Sequence, residues 1–168
     1  SFLLTSFFVF IILLVLIFLF VKVLILNGPN IDALGVREPE IYGKTSLSDI
    51  ELLIQNYFNQ HEIVFVQLQK ESDIIVELKK ANSIYDGIVI NAGGYTHTSV
   101  SIRDTIKIME IPVVEVHISN IFEREYFRNK SLLSKVCVGT ISGFGTSSYA
   151  VAISSLIIQK QLWNTKEQ

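Results

Sequence analysis

Apolar and polar residues alternate along the chain in a pattern that predicts strands and helices in turn. Residues 22–26 form a continuous apolar run that ends at Asn27-Gly28-Pro29-Asn30, as expected of a buried parallel strand that meets a loop. Ser46 opens a capping box with Asp49, and apolar residues follow at helical spacing. Further strands are predicted at 63–68, 86–90, 113–116 and 136–141, and further helices at 72–83, 98–109, 121–128 and 147–163.

This alternation predicts βαβ units, in which a parallel sheet is covered by helices on both faces. We therefore expect an α/β fold: a doubly wound, flavodoxin-like three-layer sandwich with a five-stranded parallel sheet. Residues 31–44 contain Gly35, Pro39 and Gly43, which favour a loop that could cover a site. Residues 22–168 are expected to form a single α/β domain, a common size for one core.

Residues 1–21 are an apolar leader. The stretch 2–21 carries no charge and is long enough to cross a hydrocarbon core of about 30 Å as a helix. It lacks a basic region, a small-residue cleavage site and a linker before Lys22. Two hypotheses stay open: a genuine membrane anchor or signal, and a non-native extension. The domain is expected to be cytoplasmic, and bound to a membrane only if the leader is native.

Charge and cysteine content exclude several functions. The formal net charge is -2 and the sequence pI is about 5.9, so no nucleic-acid partner is expected. The single cysteine, Cys137, excludes an internal disulfide and multi-cysteine metal sites, and its apolar neighbours favour a packing role. The segment Gly143-Phe144-Gly145 follows the last predicted strand and lacks the third glycine of a dinucleotide fingerprint.

Polar residues follow the predicted strands where a ligand should bind. In open α/β sheets the ligand lies beyond the carboxyl ends of the strands, where the strand order reverses. We expect Asn30 and Asn91 to face each other across this cleft, because they follow the first and third strands. The other polar residues expected at this edge are Asn27, His117, Ser119 and Asn120.

Two residue pairs are candidates for acid–base chemistry. Glu115 and His117 are two residues apart on a strand and therefore share a face, so the carboxylate could keep the imidazole protonated as a general acid. Arg37 precedes Tyr42 by five residues in the loop, and a nearby guanidinium would lower the pKa of a phenol. From these residues alone, His117 could instead be a strand-end histidine whose hydrogen bonds are made within the fold. Tyr42 could equally be a surface tyrosine beside an exposed arginine.

Six blocks of sequence together resemble the type II dehydroquinases, from residue 22 to about residue 163. The blocks are LNGPN at 26–30, REPEIYG at 37–43, NAGGYTHTS at 91–99, RD at 103–104, EVHISN at 115–120 and FR at 127–128. The resemblance implies a lyase that dehydrates 3-dehydroquinate to 3-dehydroshikimate, the third step of the shikimate pathway to chorismate.

The resemblance assigns roles to the candidate catalytic residues. Tyr42 is expected to remove a proton from C2 of the substrate, with its pKa lowered by Arg37. Asn30 is expected to hold a water that stabilises the enolate oxygen. His117, supported by Glu115, is expected to protonate the departing C1 hydroxyl and so complete an anti elimination.

The resemblance also implies how the substrate is bound. Backbone donors at Ile118 and Ser119, with the Ser119 hydroxyl, are expected to hold the substrate carboxylate. Asn91, His97 and Arg128 are expected to hold the ring hydroxyls.

Assembly and cofactor use follow from the same resemblance. Asp104 is expected to reach the site of a neighbouring subunit in a homo-dodecamer built from trimers. No cofactor and no metal are expected, and residues 35–43 should act as a lid. Asp32 and Ala33 depart from the family pattern, which often has asparagine and leucine there. The resting conformation of the loop could therefore differ from that of the family.

Two other functions compete with the lyase. One is a flavodoxin-like module that binds a nucleotide or flavin, since fold alone does not dictate function. The other is a degenerate, membrane-tethered relative, which predicts lost catalytic residues. Each candidate catalytic position carries the residue type that the family pattern requires.

Overall fold

The structure is a computed structural model and describes residues 20–35 and 45–164. The predicted lid residues Arg37 and Tyr42, and the leader up to residue 19, lie outside the described residues. Val21, at the end of the predicted leader, is buried and packs into the core of the domain. Within the described ranges, no helix is both long and apolar enough to cross a membrane.

Five parallel strands form one sheet in the order 2-1-3-4-5. The strands are β1 (Lys22–Asn27), β2 (Glu62–Gln67), β3 (Gly87–Asn91), β4 (Val113–His117) and β5 (Gly139–Ser142). The α-helices are α1 (Leu47–Tyr57), α2 (Glu71–Ala81), α3 (Tyr95–Thr98), α4 (Val100–Lys107) and α5 (Ser147–Asn164). This is the flavodoxin-like order, with the switch point between β1 and β3, and it confirms the predicted fold class.

The core has two layers because strand side chains alternate between the faces of the sheet. Val23 and Ile25 of β1 join a cluster that includes residues of α1 and α5. Leu24 and Leu26 join the opposite cluster, which includes residues of α2 and α4. Every residue of β3 and β4 is buried, and this includes the polar residues Asn91, Glu115 and His117 at or near their carboxyl ends.

Three predicted elements were wrong in detail. The helix predicted at 98–109 is broken at Ser99, whose hydroxyl accepts a hydrogen bond from the Ile102 backbone and starts α4 as an N-cap. The helix predicted at 121–128 is two 3-10 turns, at Ile121–Glu123 and Tyr126–Arg128. The last strand begins at Gly139, because the backbone N–H groups of residues 136 and 137 donate to the Leu133 carbonyl.

Gly28 lets the loops after β1 and β3 approach closely. Its N–H donates to the Asn91 carbonyl at 2.7 Å, and a Cβ at this position would lie 2.6 Å from the Ala92 carbonyl oxygen. The contact is with backbone, which cannot move aside as a flexible side chain could. The missing side chain therefore sets the spacing of the two loops that carry Asn30 and Asn91.

We expect Gly28→Ala to lower the free energy of unfolding by about 1–3 kcal/mol, because the added methyl group overpacks this contact. Gly139→Ala is the matched control, since a Cβ there meets nothing within 4 Å. Denaturant unfolding measures both variants. Equal stability of the two alanine variants would contradict the tight-contact explanation.

Candidate active site at the carboxyl edge of the sheet

A cavity of about 300 Å³ opens at the carboxyl ends of β1, β3 and β4, where the switch point predicts it. Its described lining combines backbone of the three loops with side chains that follow the strands. The sequence-predicted site residues that line it are Asn30, Asn91, His97, His117, Ile118, Ser119 and Arg128. Seven of the predicted site residues thus line one cavity.

Two unusual backbone conformations shape the floor of this cavity. Asn30 adopts a left-handed conformation with φ 68°, which asparagine tolerates better than most residues. Gly93 has φ 57°, and a Cβ on it would lie 2.8 Å from the Pro29 carbonyl oxygen. The β1 and β3 loops therefore fit together only with these residue types, and this contact fixes where Asn30 stands.

His117 and Glu115 form a buried pair at the end of β4. The Nε2 atom of His117 lies 3.0 Å from Oε1 of Glu115, and the side chains are 7% and 0% exposed. Because Nε2 faces the carboxylate, Nδ1 is the ring atom left to serve a ligand in the cavity. The carboxylate thus orients the imidazole toward the cavity.

Two hydroxyl groups complete the surroundings of the Glu115 carboxylate. Ser131 donates to Oε1 at 2.7 Å, and Thr140 of β5 donates to Oε2 at 3.1 Å. Burial alone would raise the pKa of Glu115, but the hydrogen bond and charge of His117, with the two hydroxyls, hold it below its ordinary value. Glu115 is therefore an ionised, fully buried anchor for the histidine.

We expect Glu115→Gln to lower the free energy of unfolding by about 1–3 kcal/mol at neutral pH, because buried donors then lose their charged acceptor. A carboxyl whose pKa is lowered by folding stabilises the protein above its ordinary pKa, 4.5 here, and this contribution is lost as pH falls through the lower folded value. The difference in free energy of unfolding between variant and wild type should therefore shrink as the pH falls through this range. Unfolding curves at several pH values measure it, and a difference independent of pH would contradict the ionised state.

His97 is held beside His117 by a different contact. Its Nδ1 lies 2.7 Å from the Lys130 carbonyl oxygen, so Nδ1 carries a hydrogen and Nε2 is the atom free to face a ligand. The two imidazole rings stack with centroids 6.4 Å apart and planes 17° apart. Two histidines therefore present separate nitrogens to the same cavity.

The backbone of residues 117–119 is anchored by the loop that follows β5. Gly143 N–H donates to the His117 carbonyl at 3.3 Å, and Gly145 N–H donates to the Ile118 carbonyl at 3.0 Å. The Ser142 hydroxyl donates to the Ser119 carbonyl at 3.0 Å. These bonds fix the segment in which the family resemblance predicts a carboxylate-binding pair of N–H groups.

The structure does not bring every predicted residue to the cavity, and it adds residues that the sequence reasoning missed. Asp104 lies on α4 with its side chain 60% exposed, paired with Arg103 at 2.9 Å and away from the lining. Arg124 and Phe127 line the cavity without having been predicted. Arg124 precedes Arg128 by four residues, a spacing that would have placed both on one face of the helix predicted there.

The described residues contain no group of three or more histidine, cysteine, aspartate or glutamate side chains that could hold a metal ion. Cys137 is half-buried against the apolar cluster below α4, and burial raises the pKa of its thiol to about 12. The described part of the cavity therefore offers imidazole, amide, guanidinium and backbone groups for its chemistry.

The fold and the cavity define a flavodoxin-like α/β protein with a buried carboxylate–histidine pair at its switch point. The model of the class II dehydroquinases matches residues 21–157, and the chain belongs to this family. The 3-dehydroquinate dehydratase of an Exiguobacterium species is 48% identical over 138 residues, covering 81% of this chain and 94% of the relative. That of a Nitratiruptor species is 43% identical over 137 residues, covering 80% and 88%.

Solved structures agree with this assignment. The type II dehydroquinase from Butyrivibrio crossotus superposes with a TM-score of 0.79 at 41% identity, covering 81% of this chain and 97% of the other. The type II dehydroquinase from Propionibacterium acnes gives the same TM-score at 35% identity, covering 82% and 96%. The resemblance read from the six sequence blocks is therefore confirmed.

Proposed function

We propose that this chain is a 3-dehydroquinate dehydratase that converts 3-dehydroquinate to 3-dehydroshikimate in aromatic biosynthesis. Membership of the class II dehydroquinase family supports it, since relatives of matching length carry that activity in their names. The observation that carries the proposal is the buried Glu115–His117 pair, which faces a cavity of about 300 Å³. The proposed general acid lies next to amide and guanidinium groups. Such a site suits a small substrate that carries a carboxylate and several hydroxyl groups.

The proposed reaction moves two protons and breaks one C–O bond. Tyr42, as phenolate beside Arg37, takes the proton from C2, and the electron pair moves toward the C3 carbonyl to give an enolate. Asn30 holds a water against the enolate oxygen and stabilises its charge. The enolate then collapses to a C1–C2 double bond, and His117 protonates the C1 hydroxyl so that it leaves as water. No electron is gained or lost, so the step requires no redox cofactor.

The proposed binding mode uses the other cavity residues. The N–H groups of Ile118 and Ser119 and the Ser119 hydroxyl hold the substrate carboxylate. Asn91, His97 and Arg128 hold the ring hydroxyls. Support comes from their position, because each lines the cavity in which the Glu115-supported imidazole lies.

The purified chain mixed with 3-dehydroquinate tests this function. The product is a conjugated enone, so its formation is followed by ultraviolet absorbance. We expect steady product formation without added metal or nucleotide, and without loss after treatment with a chelator. A folded chain that forms no product under these conditions would refute the assigned activity.

We also propose that the chain assembles as trimers packed into a dodecamer, with Asp104 contributing to a neighbouring subunit's site. Its exposed position on α4 supports this role, because it can contribute to a cavity only across an interface. Large apolar side chains are exposed on the described surface. Their exposure also supports an assembly in which other subunits bury them. These side chains include Leu52, Leu53, Ile108, Phe122 and Phe144.

The mass of the particle measures this assembly directly. We expect light scattering to give about twelve chain masses, and Asp104→Asn to weaken substrate binding while the particle stays intact. A monomer with full activity would contradict both the assembly and the role of Asp104 across it.

A further inference from the structure

Tyr149 is a fully buried side chain of α5 that the proposed reaction does not use. Its hydroxyl donates to Oδ1 of Asn27 at 2.8 Å and accepts a hydrogen bond from Nδ2 of Asn91 at 3.0 Å. Asn27 and Asn91 are direct neighbours, as they pair in register at the ends of β1 and β3. The phenol thus joins the two strand ends that flank the switch point, from beneath the cavity.

The direction of this hydrogen-bond chain is set by a backbone donor. Gly93 N–H lies 3.3 Å from Oδ1 of Asn91, and a backbone N–H can only donate. The amide nitrogen of Asn91 must therefore face Tyr149. The Tyr149 hydroxyl accepts a hydrogen bond from this nitrogen and donates its own hydrogen bond to Asn27. Rotating the Asn91 amide by half a turn would set its NH₂ group against Gly93 N–H, donor against donor.

We propose that Tyr149 is a positioning residue that holds the Asn91 amide in one orientation for substrate binding. Asn91 is 3% exposed and lines the cavity, so the atoms not taken by Tyr149 and Gly93 face the ligand. These are the second N–H of the amide and the remaining lone pair of Oδ1. A ring hydroxyl of the substrate can both donate to and accept from such an amide, which makes the fixed orientation useful.

The phenol suits this task because it keeps its proton. Burial raises the pKa of Tyr149, against a smaller lowering by the hydrogen bond from Asn91. The hydroxyl is therefore a neutral group that accepts from Asn91 and donates to Asn27 throughout the working pH range. Asn27, which the sequence places at the same edge of the sheet, is fully buried and accepts the hydrogen bond from Tyr149 behind the cavity.

Tyr149→Phe tests the inference, which rests on the proposed function for its kinetic readout. The ring and its packing stay, and only the hydroxyl is lost. We expect KM for 3-dehydroquinate to rise about three- to tenfold, the worth of one neutral hydrogen bond. We expect kcat to change less than about twofold, because Asn91 holds a part of the substrate remote from both proton transfers.

A double-mutant cycle with Asn91→Ala separates positioning from general structural damage. In the Asn91→Ala background, Tyr149→Phe should leave KM within about twofold, since the amide it orients is gone. Thr105→Val is the matched control, because it removes a buried hydroxyl that bonds to the Ser101 carbonyl in α4, away from the cavity lining. An equal effect of Tyr149→Phe in both backgrounds, or an equal KM change in Thr105→Val, would overturn the proposal.

Side-chain amide hydrogen exchange of Asn91 gives a readout that does not depend on turnover. We expect slow exchange of the hydrogen that faces Tyr149 and faster exchange in Tyr149→Phe. An inactive wild-type chain with this protected amide would refute the proposed function and leave the positioning role supported. Equal exchange in wild type and variant would refute the positioning role whatever the activity.

Asn27→Leu is the second variant, for use if Tyr149→Phe does not fold. Leucine has a similar volume and no acceptor, so the Tyr149 hydroxyl hydrogen loses its partner and could find another only in Oδ1 of a rotated Asn91 amide. We expect KM to rise by a similar factor and Asn91 exchange to accelerate. If both stay at wild-type values, the orientation of Asn91 does not depend on this chain and the inference fails.

Discussion

We expect His117→Ala to lower kcat for 3-dehydroquinate by about 100- to 10,000-fold, the usual contribution of a general acid. Hydroxide is a poor leaving group, so the C1–O bond breaks readily only if a proton arrives as it lengthens. In the structure, Glu115 occupies Nε2 of the imidazole at 3.0 Å and leaves Nδ1 for this transfer. KM should change far less than kcat, because the proton is needed in the transition state and not for binding.

Steady-state kinetics of the variant measure this effect. His61→Ala is the matched control, since His61 contacts the Val21 backbone N–H at the opposite edge of the sheet. A loss of kcat smaller than about tenfold in folded His117→Ala protein would contradict the role of general acid. If the variant still forms the bound enolate but releases product slowly, the defect lies in C–O cleavage. This outcome would support the role of His117, as the proposed order of steps requires.

The cavity could be predicted from the sequence because one geometric rule connects distant residues. The carboxyl ends of parallel strands meet at one edge, so polar residues after β1, β3 and β4 converge without knowledge of any side-chain contact. Asn30, Asn91 and His117 were placed in this way, and all three line the cavity. The pairing of Glu115 with His117 followed from the period of two along a strand.

Details that depend on contacts between distant segments could not be predicted in this way. The start of β5 is delayed because the Leu133 carbonyl holds the preceding backbone in a turn, and no local pattern reveals that bond. Asn27 turns inward because Tyr149, which is 122 positions away in the chain, supplies its partner. Arg124 was missed because its segment forms two short 3-10 turns, so the face it presents depends on the packing of the loop.

The second large effect is expected at the base, where the described lining of the cavity narrows the candidates. Its titratable side chains are those of His97, His117, Arg124 and Arg128. A guanidinium group has no acceptor atom and His117 is the proposed acid, so within the described lining only His97 could accept the C2 proton. The sequence of the predicted lid supplies the other candidate, Tyr42, whose pKa we expect Arg37 to lower.

We expect Tyr42→Phe to lower kcat by about 100- to 10,000-fold with little change in KM, because the aromatic ring is kept and only the hydroxyl proposed as the base is lost. Arg37→Met should move the acidic limb of the kcat–pH profile to higher pH, since a phenol without the guanidinium ionises nearer to its ordinary pKa of about 10. Tyr57→Phe, which changes an exposed tyrosine of α1, should be neutral.

His97→Ala decides between the two candidate bases. If Tyr42 is the base, His97→Ala should raise KM through a lost contact to a ring hydroxyl and leave the kcat–pH profile in place. Near-normal turnover by Tyr42→Phe, with a collapse of kcat in His97→Ala, would assign the base to the histidine. The stacked pair of imidazoles would then carry both proton transfers from the same side of the cavity, and the elimination would have to be syn, with the C2 proton and the C1 hydroxyl leaving from one face of the ring.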